Sequence, residues 1–141
     1  MIENIVKKLK RKYQKGMAKD CIVYLFIKEY CKAIERNEIT LREIYGYLNE
    51  IIPLPWEDAK AILRGLASFK LIDVDLLYDL DNIFYNPQPP KWYNLNVEFP
   101  DGEKMVIQRT AQNKKALEKA IREYEAEGIK VLKVEKVWPF Q

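Results

Sequence analysis

Residues 86 to 91, "NPQPPK", place Pro87, Pro89 and Pro90 almost side by side. Each proline fixes φ and removes a backbone donor, so neither a helix nor a central strand runs through this stretch. The chain must therefore organise on either side of it. With 141 residues, it can bury one good core or two small units sharing an interface.

The first side reads as helical. "IENIVKKLKRKYQKG" sets Ile2, Ile5, Val6, Leu9 and Tyr13 on one stripe at helical spacing, with lysines around the rest and Gly16 suited to a C-cap. Residues 1–19 are thus expected to form a basic amphipathic helix or arm. "DCIVYLFIKEYCKAIERN" is apolar on most sides, which places it at the centre of a helical domain with Asp20 as its N-cap. Thr40 and Glu43 have capping-box spacing, and Leu41, Ile44 and Leu48 share a face behind them. A further helix is expected from Pro55, with Glu57 and Asp58 at its positive end. It turns Ala59, Ile62, Leu63, Leu66 and Phe69 inward and Glu57, Lys60, Arg64 and Ser68 outward. Ile72, Val74 and Leu76 then alternate with aspartates, "YDLDN" supplies turn residues, and "IFYN" returns as a second strand.

Beyond the prolines the period changes from helix to strand. "WYNLNVEF" alternates, with Tyr93, Leu95, Val97 and Phe99 on one face and Asn94, Asn96 and Glu98 on the other. "PDG" is a tight turn and "KMVIQRT" pairs back as a hairpin. A helix from about residue 112 to 127 carries Ala116, Leu117, Ala120, Ile121 and Tyr124 on one stripe and ends at Gly128; "IKVLKVEKVW" closes as a third strand. The expected fold class is α+β. Its parts are an arm over 1–19, a helical domain over 20–86, a linker over 87–91 and a ββαβ unit over 92–141.

Charge is unevenly spread. Residues 1–19 carry +6, residues 20–90 carry −5 and residues 91–141 carry +2. The basic character sits in the arm, where Lys7, Lys8, Lys10, Arg11 and Lys12 crowd together. That helix is suited to contacting phosphates, to lying on an anionic membrane, or to docking its apolar stripe on the body or on a second copy. Without a tryptophan or phenylalanine it is not expected to insert into a membrane.

Histidine is absent, and Cys21 and Cys31 stand ten residues apart in one expected helix, roughly 15 Å along its axis. They are too far apart to pair with each other, and too few to build a zinc site of nitrogen and sulfur ligands. Ser68 is the single serine, and there is no glycine-rich phosphate loop. Neither catalysis, a metal nor a cofactor is expected. The lysines near the start precede no hydrophobic signal core, so the expected location is cytoplasmic. Abundant lysine and glutamate without histidine suit a thermophilic source.

The run from Asp20 to Asn86 resembles the winged helix-turn-helix family, most closely over "NEITLREIYGYLNEIIPLPWEDAKAILRGLASFKLIDV". There Ile39 stands where that family places a one-residue strand, and "LASFKLIDV" stands where it passes from recognition helix to wing. The resemblance implies three helices, a short turn between the second and third, and a hairpin wing. It also implies that Lys60, Arg64 and Ser68 face DNA bases in a transcriptional regulator acting as a dimer. The arm cations would add phosphate contacts.

In one respect the sequence departs from the family. Wings there commonly bring lysine or arginine to phosphates, whereas this one brings Asp73, Asp75, Asp79 and Asp81, with no cation between Lys70 and Lys91. As a magnesium site the aspartates lack a glycine-turned loop, and solvated strand and turn positions explain them better. The alternative to DNA binding is a structural or adaptor protein in a nucleoprotein or viral assembly. It would meet a protein partner through these aspartates and through Trp92, which could also stack on a base or pack on the neighbouring unit. Arg109, Lys114 and Lys115 are expected to form a minor additional basic spot.

Overall fold

A computed structural model of the chain describes residues 1–77 and 81–137. It is α+β, and it divides into two compact units, Met1–Pro89 and Pro90–Gln141, with the boundary inside the proline run.

In the first unit the elements run α1 (Ile2–Gln14), α2 (Lys19–Ile34), β1 (Glu38–Thr40), α3 (Leu41–Ile51), α4 (Trp56–Ser68), β2 (Ile72–Asp75) and β3 (Asn82–Tyr85). The apolar stripe of α1 buries Val6 and Leu9 against α2 and α3. Full burial of one such leucine contributes about 2–3 kcal/mol. The basic helix is therefore a layer of this unit. Its closing turn puts Gly16 at φ 99, a conformation that side chains resist.

Helix α2 is buried on most of its circumference, as its composition demands, and Phe26 is its centre. The Phe26 ring stacks on Tyr30 with centroids 5.5 Å apart and tilts against Tyr47 at 5.9 Å, while Tyr24 meets Tyr85 of β3 at 6.5 Å. The helix starts one residue before Asp20. Ala18 holds the N-cap position without a side-chain bond, and the Asp20 carboxylate accepts the Cys21 N–H instead. An aspartate in the first turn favours the helix dipole from either position.

The sheet of this unit has the order β1-β3-β2 and is antiparallel throughout, with Ile39 and Val74 both opposite Ile83. Ile39 and Ile83 are fully buried, so the three-residue β1 pins the hairpin to the helices. Helix α4 ends in a Schellman turn: the Leu71 N–H reaches the Leu66 carbonyl and the Lys70 N–H the Ala67 carbonyl. Lys70 occupies the left-handed position at φ 60, where glycine is usual.

The second unit comprises β4 (Lys91–Glu98), β5 (Lys104–Ala111), α5 (Lys114–Ala126) and β6 (Lys130–Lys136). Strands β5 and β6 flank β4, both antiparallel to it, so β5–α5–β6 is a crossover with β4 slotted between its strands. Tyr93, Leu95 and Val97 form the core with Leu117 of α5, and Phe99, just past β4, packs beside them. Asn113 caps α5 by accepting the Ala116 N–H, so the helix begins slightly later than its sequence pattern suggests. At its far end Gly128 takes φ 82, and a Cβ there would lie 3.2 Å from Pro100 Cγ. Both disfavour any side chain at this position.

Burial has a titratable consequence in the first unit. It pushes the Cys21 and Cys31 thiols up to about 11, and burial together with the bond to Glu43 pushes Tyr30 up to about 12. Tyr24 and Tyr85 are also raised, chiefly by burial. All five are acids whose neutral form the fold prefers. The stability they contribute is complete below their ordinary values of 9.0 and 10.0 and is lost as pH rises through the folded ones. Urea midpoints from these groups are expected to hold up to about pH 9 and to fall clearly by about pH 11. An unchanged midpoint at the higher pH would contradict this.

Candidate nucleic-acid interface

The turn between α3 and α4 is built by Asn49. Its Nδ2 donates to the Tyr45 carbonyl at 3.0 Å and its Oδ1 accepts the Leu54 N–H at 3.1 Å, so one side chain closes the end of α3 and holds the connecting loop. Across the same turn the Tyr45 ring meets Trp56 edge-on, with centroids 5.0 Å apart. Trp56 is the first residue of α4, with Pro55 at its N-cap. The start of α3 is fixed by the full capping box: Glu43 N–H to Thr40 Oγ1 at 3.1 Å, and Thr40 N–H to Glu43 Oε1 at 2.9 Å. Both helices therefore start from defined points.

Arg64 and Ser68 lie exposed on α4, and Lys60 is half-buried. The Ser68 hydroxyl donates to the Gly65 carbonyl at 2.6 Å, which leaves its oxygen as an acceptor for a partner. Ala61 and Gly65 are exposed beside Arg64. This outer face is thus low in relief, and a partner surface could approach the backbone closely. Sequence reading missed Lys70. It is exposed at the end of α4 and borders a groove formed with Ile72, Asp73, Phe84, Tyr85 and Asn86. The Asn86 Nδ2 donates to the Lys70 carbonyl, so the exit of the hairpin holds the residue in place. Its left-handed backbone, unusual for a lysine, has no signal in composition or period.

On α1, Lys7, Lys10 and Arg11 are exposed and Lys12 is half-buried, while Lys8 pairs with Glu29 of α2 at 2.6 Å. Lys7, Lys10, Arg11 and Lys12 therefore have no ion pair among the described residues.

The aspartates after α4 separate by environment. Asp73 is exposed and Asp75 half-buried; each uses one oxygen on a nearby backbone N–H, of Val74 and Leu77 respectively. Asp79 lies outside the described residues. Asp81 is 2% exposed, with φ 51, its carbonyl accepts the Leu41 N–H at 2.9 Å, and its Oδ1 is buried without a hydrogen-bond partner among the described residues. Asp81 is thus an internal part of the junction between hairpin and α3 and is unavailable to a surface partner, contrary to its reading as a solvated turn residue.

In the second unit Trp92 is half-buried opposite Thr110, on the sheet face that also carries Asn94 and Asn96. Arg109 leaves the expected basic spot. It turns to the helix side, 5.7 Å from the Tyr124 ring, and donates through Nη1 to the Tyr124 hydroxyl at 3.4 Å. Lys114 and Lys115 remain exposed in the first turn of α5.

Among the described residues, no group of three or more His, Cys, Asp or Glu is placed to hold a metal, and no helix is long and apolar enough to cross a membrane. The class these units define is α+β, with two antiparallel three-stranded sheets. No family model matches the chain, and neither a curated protein nor a solved structure does.

Proposed function

We propose that this is a winged-helix DNA-binding protein that acts as a transcriptional regulator. The observation that carries the reading is the outer face of α4, where Arg64 stands exposed beside the small residues Ala61 and Gly65 on a helix anchored at its start by the Asn49 turn. The element order α2–β1–α3–α4–β2–β3, with β1 paired to β3, supports it too. Arg64 would read a base edge or phosphate, Lys60 and Lys70 would flank it, and the exposed cations of α1 would add phosphate contacts.

Fluorescence anisotropy with a labelled duplex tests this. Affinity is expected to fall steeply with salt, and each lost phosphate contact should reduce the slope of log K against log salt by about 0.9. Arg64→Ala is expected to weaken binding about tenfold or more. No binding at about 50 mM salt would end the proposal.

A second reading, a protein-binding adaptor, is favoured by Asp73 and Asp75, which place carboxylates on the hairpin where phosphates would be repelled. Under it, Asp73→Lys with Asp75→Lys abolishes capture of a partner and leaves duplex affinity unimproved.

A further inference from the structure

Among the described residues, the large apolar side chains left exposed on the second unit lie on the two edge strands of its sheet: Met105 and Val106 on β5, Leu132 and Val134 on β6. An edge strand presents unpaired backbone donors and acceptors, and charge or a bulge usually protects it. Strand β6 has both devices. Lys130, Lys133 and Lys136 punctuate it, and its register with β4 slips at Leu132, since Asn96 pairs with Lys133 and Val97 with Val131. The charge pattern also contains Glu135, which pairs within the strand to Lys133 at 2.5 Å.

We infer that a second copy of this chain docks antiparallel along β6, on a two-fold axis through Val134, to join the two three-stranded sheets into one of six strands. Side-chain charge selects this register. A two-fold axis that keeps the helix faces on one side pairs residues of the same sheet face. With the axis at Val134, Lys133 of each copy stands opposite Glu135 of the other and Val134 meets its own symmetry mate, giving two opposite-charge pairs around an apolar contact. Shifting the axis to 133 sets Lys133 against itself. Shifting it to 135 sets Glu135 against itself. Strand β5 offers no such match, because its charged residues, Lys104 and Arg109, are both cationic. The lysines that reject random pairing thus become, with one glutamate among them, a self-complementary code. This association does not depend on the chain binding DNA.

The test exploits the two-fold axis. Analytical ultracentrifugation of the full chain at about 0.1 mM, where a complex with Kd near 10 µM is well populated, is expected to give a dimer. Lys133→Glu alone and Glu135→Lys alone each face like charges across the axis and are expected to sediment as monomers. Mixed one to one, they regain both cross-strand pairs and should form a heterodimer, although neither chain has recovered its own Lys133–Glu135 pair. A monomeric wild type, single variants that remain dimeric, or a mixture that stays monomeric each overturns the proposal. Hydrogen exchange on the wild type provides a check that needs no variant. Protection of β6 amides should rise with concentration while that of β5 amides does not, and the reverse pattern, or no change in either, overturns it.

Discussion

Replacing Glu43 with alanine is expected to cost about 3 kcal/mol and to lower the urea midpoint of the first unit severely. This side chain is shared by three elements. Oε1 accepts the Thr40 N–H as half of the capping box, while Oε2 accepts the Tyr30 hydroxyl of α2 at 2.9 Å and Arg36 Nη2 at 2.8 Å. The cap contributes about 1 kcal/mol and the bond from Tyr30 to a charged acceptor about 1.5–3. The Arg36 pair, with its arginine 56% exposed, adds only a few tenths of a kcal/mol after solvent screening. Glu43→Gln separates these contributions, since glutamine still completes a capping box but carries no charge. It should lose roughly half as much. Equal losses in the two variants would show that charge at this position matters more than the cap.

Leu9→Ala should produce a loss of similar size, about 2–5 kcal/mol for a fully buried leucine. Where the loss appears is the informative part. Leu9 is one of the two buried residues by which α1 packs on α2 and α3, so amide exchange should accelerate first in α1 and the helices beneath it should follow less. Lys10→Gln, at an exposed position on the same helix, is the control and should change stability by no more than about 0.5 kcal/mol. In the DNA-binding reading the two variants diverge again. Lys10→Gln removes one charge and trims the salt slope, whereas Leu9→Ala loosens Lys7, Lys10, Arg11 and Lys12 together and lowers affinity by more. Uniform exchange throughout the unit in Leu9→Ala would instead mean that α1 unfolds only with the whole.

Features written in short-range chemistry could be read in advance. The prolines at 87, 89 and 90 fall at the division between the units, Thr40 and Glu43 form the box that their spacing announces, and Tyr93, Leu95 and Val97 alternate into the core. Features set by partners far along the chain could not. The second oxygen of Glu43 serves residues thirteen and seven positions away. Asp81 has the same side chain as Asp73 and becomes internal because its carbonyl is tied to Leu41, forty residues earlier. Arg109 reads as a surface cation until the fold brings Tyr124 beneath its guanidinium. In the candidate interface, the exposure of Arg64 and Ser68 on α4 followed from helical period alone, whereas the half-burial of Lys60, the Asn49 bridge and the left-handed Lys70 depend on tertiary structure.

The two thiols, both raised to about 11 and one of them fully enclosed, have a practical consequence. At neutral pH both are expected to stay protonated and to react with maleimides or nitroxide reagents more slowly than an ordinary exposed thiol, the half-buried Cys21 less slowly than Cys31. A cysteine introduced on an exposed strand or helix can therefore be labelled against a quiet background, and distances between spin probes can be measured without first removing the native sulfur.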